Sequence, residues 1–285
     1  MIPRILPFGN CTLTNPLRYL RDHERLKIVW SELANTATPF VSTPNEVQQL
    51  LEYLDMKKEI PENIHKYIWP GIISSPTASF NIHERYDAVI FEYRVFTEIV
   101  FNGISLSRSR IMNDFTNFFG SIGPSQKELA VEWFNQGLIR FDVERQISVA
   151  NKLIESIPSE IELPELEHRI LLEARAFDRS SQDEVIEQML RVKSLVKKPL
   201  GICSFVWKYL PDGRALTWPI DLRDKLAVAA KNLQIPFFDP PVRLVEKYGL
   251  QIVNLESVDY LPHALPKVGD EFTFFIKEIL DSAKD

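Results

Sequence analysis

The chain has 285 residues, 45% hydrophobic and 25% charged, which is ordinary for a globular protein with room for a sizeable core. Its formal net charge of -6 argues against a nucleic-acid binder working through a broad basic face. Two cysteines cannot build a disulfide framework, no signal-peptide pattern opens the chain, and no apolar run reaches the ~18 residues of a membrane span, so the sequence predicts a cytoplasmic protein without membrane insertion.

Arg4 to Phe8 reads as a first strand. Asn15-Pro16 reads as a helix start, with Asn15 as cap and the helix running to about Arg25. Leu26 to Trp30 is a short second strand. Thr43-Pro44-Asn45-Glu46 has the form of a capping box, followed on one face by Val47, Leu50, Leu51 and Leu54. Tyr86 to Phe91, "YDAVIF", is a third strand.

From about Arg108 to Val196 the spacing turns helical. Ile147, Ala150, Leu153 and Ile154 form one stripe, Leu166, Ile170, Ala174 and Phe177 a second, and Val185, Met189, Val192 and Val196 a third. The stretch around Leu129, Trp133 and Phe134 is less regular, and Phe115, Phe118 and Phe119 make an aromatic patch that reads as core. "PLGICSFVW", residues 199–207, returns to a fully apolar strand that carries Cys203 as packing. A helix from Pro219 points Leu222, Leu226, Ala229 and Leu233 inward; a short strand at Ile235 to Phe238 ends at Asp239. Val268, Phe272, Phe275, Ile276 and Ile279 line the last helix.

Short apolar strands alternating with helices predict a three-layer α/β/α fold around a mostly parallel sheet. The expected division is a core of residues 1–107 and 196–285 with a helical insertion at 108–195, serving as a lid or a partner surface.

In such sheets ligands collect outside the carboxyl ends of the strands, and Cys11 follows the first strand directly. A thiol there becomes a nucleophile when a base takes its proton and backbone N–H groups receive the oxyanion. Of the five histidines, His23 and His168 lie in charged helix segments, His65 in a surface-like one, and His83 just before the third strand. His263 lies in "DYLPHALPKVGDEF", before the last helix, with Asp259 four residues ahead to orient it. No Cys/His spacing for zinc, acidic loop for calcium or phosphate loop is present, so no metal or bound cofactor is expected.

"ILPFGNC" resembles the first block of the SGNH/GDSL hydrolase superfamily, in which Gly-Asp-Ser follows strand one. Gly9 and Asn10 match the first two positions and Cys11 stands where the serine would. "DYLPHALPKVGDEF" resembles the last block, Asp-x-x-His before the final helix, with three residues rather than two between Asp259 and His263. The Gly-Asn-Cys form is similar to GSCFA-domain and capsular-polysaccharide acetyltransferase-like proteins, and residues 214–240 resemble the helix and strand that precede the last block in them.

The resemblance implies a flavodoxin-like sheet and a catalytic set of Cys11, His263 and Asp259, with Gly9 and Asn10 in the oxyanion and substrate region. Thr97 resembles the Thr of a Thr-Glu pair in some cysteine-bearing branches, and Asn102 is the candidate for the family's third-strand Asn. "YDAVIFEYRVFTE" lacks a Gly-x-Asn, and Gly71 is the candidate for the remaining glycine. Glu92, Arg94 and Glu98 read as surface salt pairing or site lining.

The activity implied is acyl transfer, or ester or thioester hydrolysis, with O-acyl transfer to a carbohydrate hydroxyl and an acyl-CoA as co-substrate. The partners expected are a small-molecule or carbohydrate acyl substrate, with no nucleic acid. Two alternatives stay open: a catalytically degenerate binding or scaffolding module of the same fold, and an unrelated α/β protein.

Overall fold

The computed structural model describes residues 2–30, 41–68, 82–205, 220–254 and 257–282. In chain order, strand β1 (Arg4–Phe8) runs into helix α1 (Cys11–Asp22), then β2 (Lys27–Ile28), α2 (Pro44–Leu54), a 3-10 turn (Glu62–Tyr67) and β3 (Ala88–Tyr93). Next come β4 (Thr97–Phe101), β5 (Ile104–Leu106), α3 (Arg108–Ile122), α4 (Pro124–Glu132), α5 (Val143–Glu155), α6 (Glu165–Glu173) and β6 (Arg175–Asp178). Then follow α7 (Gln182–Leu195), β7 (Leu200–Ser204), α8 (Ile220–Asn232), β8 (Phe237–Phe238), the hairpin of β9 (Leu250–Asn254) and β10 (Ser257–Tyr260), and α9 (Leu265–Asp281).

These elements form two compact units. The first takes its described residues from 1–58, 71–95 and 180–285. Its sheet has five parallel strands in the order β2-β1-β3-β7-β8. Counted along this sheet alone the order is 2-1-3-4-5, the flavodoxin-like one, which confirms the expected α/β/α class. All six residues of β3 are buried, as a central strand covered on both faces requires.

Helices α1 and α9 pack together, with α9 against β3 and β7, while α2, α7 and α8 pack in series with α8 against β7 and β8. The expected inward face of α9 is buried throughout, and Phe238 meets Phe272 and Phe275 at ring-centroid distances of 4.9 and 5.0 Å.

The second unit takes its described residues from 59–70 and 96–179. It is not helical throughout: β5, β4 and β6 make a three-stranded antiparallel sheet beside α3 to α6. Its limits therefore differ from the expected 108–195. The β4-β5 hairpin and the 3-10 turn join it, and α7 leaves it, because the buried stripe Val185, Met189 and Val192 faces the first unit's own helices.

Several local expectations shift for physical reasons. α1 begins at Cys11 and carries Pro16 inside it, since the Asn10 carbonyl already accepts from the Leu13 and Thr14 N–H groups at 3.1 and 2.8 Å. Thr43 caps α2 as expected, but Glu46 reaches the Ser42 N–H rather than that of Thr43. The buried face of α5 is Gln146, Val149, Ala150 and Leu153, and Ile147 is exposed. Phe177 is an exposed residue of β6, not the last turn of a helix.

Candidate functional site

The site begins with a close approach of two strands. Glu92 follows Phe91, which pairs with Phe8 in the register of β1 and β3. Its carboxylate turns toward the segment leaving β1: one oxygen accepts the Asn10 N–H at 2.9 Å and the other the Thr12 hydroxyl at 2.6 Å. Gly9 makes this possible, because a Cβ there would lie 2.7 Å from Glu92 Cβ. Glu92 is buried, so it is not a surface salt partner. Burial raises its carboxyl above the usual range, and the Thr12 and Asn10 bonds and the Arg94 charge pull it back in part.

Held in this way, the chain turns at Asn10 and enters α1 with Cys11 as its first residue. The first N–H groups of a helix have no intrahelical partner, and no side chain caps these. The Asn10 side chain is itself buried with its Nδ2 unpartnered. Cys11 is half-buried and sits where β1 gives way to a helix, beside β3, at the point where the strand order reverses. In open parallel sheets that crevice is where ligands bind.

The surroundings of the Cys11 thiol hold it above its ordinary value. Burial pushes it up, and the Asp259 and Glu92 charges push it further; Arg18 and its own N–H pull it down less. A helix N-terminus favours a thiolate, but here desolvation and two nearby carboxylates prevail.

Asp259 comes from β10, the second strand of a hairpin. It accepts from Asn15 Nδ2 on α1 and from the Tyr260 N–H at 2.8 Å, and burial raises its carboxyl. The neighbouring Tyr260 ring is buried with its hydroxyl unpartnered. His263 lies in the 3-10 turn Pro262–Ala264 just before α9 and is exposed. Among the described residues it makes no hydrogen bond, so Asp259 is tied to α1 rather than to the imidazole.

The structure thus gathers Gly9, Asn10, Cys11 and Asp259, with His263 three residues beyond Tyr260. Thr97 and Asn102 belong to the second unit. Thr97 pairs with Asp178 across β4 and β6. Asn102 has a structural role, since with Gly103 it forms the two-residue β4-β5 turn, both at positive φ (50° and 73°). Gly71 lies outside the described residues. Three other histidines bond elsewhere: His23 to the Tyr19 carbonyl, His65 to that of Ile60, and buried His83 to Tyr86 and Asp55. Cys203 is buried in β7, as a packing residue would be. Asp239, at the end of β8, accepts from Ser204 and Arg223.

Sequence reasoning offered Glu92 as site lining without the bonds it makes, and missed the roles of Thr12 and Asn15. A signal for Glu92 was present: a glutamate one residue past "YDAVIF" continues an apolar central strand and must find donors there. Among the described residues no group of His, Cys, Asp and Glu could hold a metal ion, and no helix is long and apolar enough to cross a membrane.

A flavodoxin-ordered parallel α/β unit with a cysteine at the switch-point helix is the class that this fold and site define. Within it, the chain belongs to the TviD N-terminal domain family, whose model matches residues 3–258. Asp259 and His263 follow directly after the matched span. No curated protein and no solved structure matches the chain significantly.

Proposed function

We propose that the first unit carries out acyl transfer in the manner of an SGNH-like enzyme with Cys11 as nucleophile. The observation that carries this reading is the position of Cys11, on the first residue of a helix at the switch point, beside the unpartnered buried amide of Asn10. The family match supports a role in polysaccharide biosynthesis, that of the Vi antigen, which is compatible with a carbohydrate hydroxyl as acceptor.

In this reading His263 takes the thiol proton as Cys11 Sγ bonds the carbonyl carbon of an acyl thioester. The oxyanion is received by the Cys11 N–H and the Asn10 amide. The donor's sulfur leaves with the proton from His263, and the acceptor hydroxyl then gives its proton to His263 as it displaces Cys11. Exchange between two thioesters is nearly isoenergetic, which favours an acyl-CoA donor over plain hydrolysis. Asp259 orients the imidazole once it releases Asn15. The test is turnover of acetyl-CoA, with mass spectrometry of the Cys11 peptide. Cys11→Ala is expected to abolish turnover and the adduct with circular dichroism unchanged; turnover that persists in this variant overturns the assignment.

A second reading has its own support. The raised thiol and the engagement of Asp259 by Asn15 fit a site that has lost its chemistry and serves as a binding or scaffolding module. It predicts neither a Cys11 adduct nor turnover in the unaltered protein.

A further inference from the structure

Two buried side chains of the first unit carry a donor that meets no acceptor among the described residues: the Asn10 amide, through its Nδ2, and the Tyr260 hydroxyl. The two residues are 8% and 1% exposed. A buried donor left unpaired weakens a fold, so each such group needs a reason to be there. The acyl-transfer reading uses Asn10 and leaves Tyr260 without a role.

Tyr260 belongs to the strand that lies against the helix beginning at Cys11. β10 packs on α1, where Asp259 accepts from Asn15. Successive side chains of a strand leave on opposite faces, so Tyr260 turns away from Asn15 and into the interior. There its hydroxyl feels Glu92, Cys203 and Asp259. Glu92 and Cys203 are register partners on β3 and β7. The same two carboxylates, Asp259 and Glu92, act on the Cys11 thiol, so hydroxyl and thiol share their charged neighbours.

These carboxylates do not take the hydroxyl's hydrogen bond. Glu92 accepts from the Asn10 N–H with one oxygen and from the Thr12 hydroxyl with the other. Asp259 accepts from Asn15 and from the Tyr260 N–H, again one on each oxygen. Burial, then the charges of Glu92, Cys203 and Asp259, hold the hydroxyl's proton well above the usual tyrosine value. Tyr260 is therefore a permanent donor and not a base.

We propose that the Tyr260 hydroxyl is a catalytic hydrogen-bond donor, joining the Cys11 N–H and the Asn10 amide in receiving the oxyanion formed at Cys11. This rests on the acyl-transfer reading. The oxyanion exists only during the reaction, so a donor with no partner in the free protein finds one there, and the bond favours the transition state over the ground state. Tyr260 keeps its proton throughout; the hydrogen bond forms as the carbonyl carbon becomes tetrahedral and is lost when the carbonyl returns.

The experiment compares Tyr260→Phe with the unaltered full chain in turnover of acetyl-CoA, iodoacetamide alkylation of Cys11 and urea unfolding. The substitution keeps the ring and removes only the hydroxyl. Expected are a kcat lower by about 100-fold with KM little changed, an unchanged alkylation profile, and a urea midpoint equal to or above that of the unaltered protein. A merely structural hydroxyl would give the opposite pattern, an unchanged kcat or a loss that comes with a lower midpoint, and either overturns the proposal. A variant that fails to fold overturns it as well, since the hydroxyl then has a partner that the fold needs. Full turnover in Tyr260→Phe with none in Cys11→Ala overturns this proposal alone. Turnover that persists in Cys11→Ala, or is absent from the unaltered protein, overturns the acyl-transfer reading and this proposal with it.

Discussion

Glu92 couples the sheet to the turn that carries Cys11, and its consequences can be tested one residue at a time. Glu92→Ala strands two buried donors, the Asn10 N–H and the Thr12 hydroxyl, and is expected to cost about 2 kcal/mol or more in urea unfolding. Glu92→Gln should retain most of the stability, because its amide oxygen still accepts one bond and the Thr12 hydroxyl can rotate to accept the other. Gly9→Ala drives a methyl group into Glu92 and should cost about 1–3 kcal/mol.

The thiol provides an independent readout. Because burial and Asp259 raise it, iodoacetamide should alkylate Cys11 with a pH profile above that of a free thiol. Asp259→Asn removes one of the opposing charges and should shift the profile to lower pH. A profile already below the free-thiol range in the unaltered protein would contradict these electrostatics.

At the scale of elements, a capped helix start contributes stability that a single substitution can read. Ser181 accepts the Glu184 N–H, and Glu184 reaches back to the Ser181 N–H, a complete capping box on α7. Ser181→Ala should cost about 1 kcal/mol, read as a lower urea midpoint. The box is equally legible in the sequence as Ser-Gln-Asp-Glu, yet the sequence places α7 in the insertion, because a cap marks where a helix begins and not what it packs against. The start of α1 shows the converse. Asn15-Pro16 has the sequence of a helix start, but the backbone is already turning at Asn10, where Glu92 holds the N–H. Neither the Glu92 contact nor the resulting position of Cys11 is encoded within α1 itself.

For the whole molecule, acid sensitivity should follow the carboxylates whose folded-state proton affinity is lowest. Burial alone would raise Asp87, Asp55 and Glu167, but hydrogen bonds and charges from Arg4, from Lys57 and His83, and from Lys66 and Tyr67 outweigh it and hold all three below their usual values. A depressed carboxyl gives stability that is fully present above its unfolded value, about 4, and is lost as pH falls through the folded one. Glu92 and Asp259 act in the opposite direction, since their raised carboxyls take up protons more readily in the folded state. The urea midpoint should therefore fall as pH drops below about 4, less steeply in Glu167→Gln. A midpoint that rises through this range would show that the raised pair dominates.

By itself the sequence determined the alternation of apolar strands and helices, the buried faces of α2, α7 and α9, and Cys11 at the exit of the first strand, because periodicity, caps and apolar runs act over a few residues of chain. The tertiary structure alone decided the antiparallel hairpin within the second unit and the Asn102-Gly103 turn that explains Asn102. It alone brought Glu92, 80 residues along the chain from Thr12, under the turn that precedes Cys11, and Asp259, 244 residues from Asn15, onto α1. Such pairings depend on which surfaces can be buried together, and the cost of burying a carboxylate without donors fixes them only once the sheet has formed.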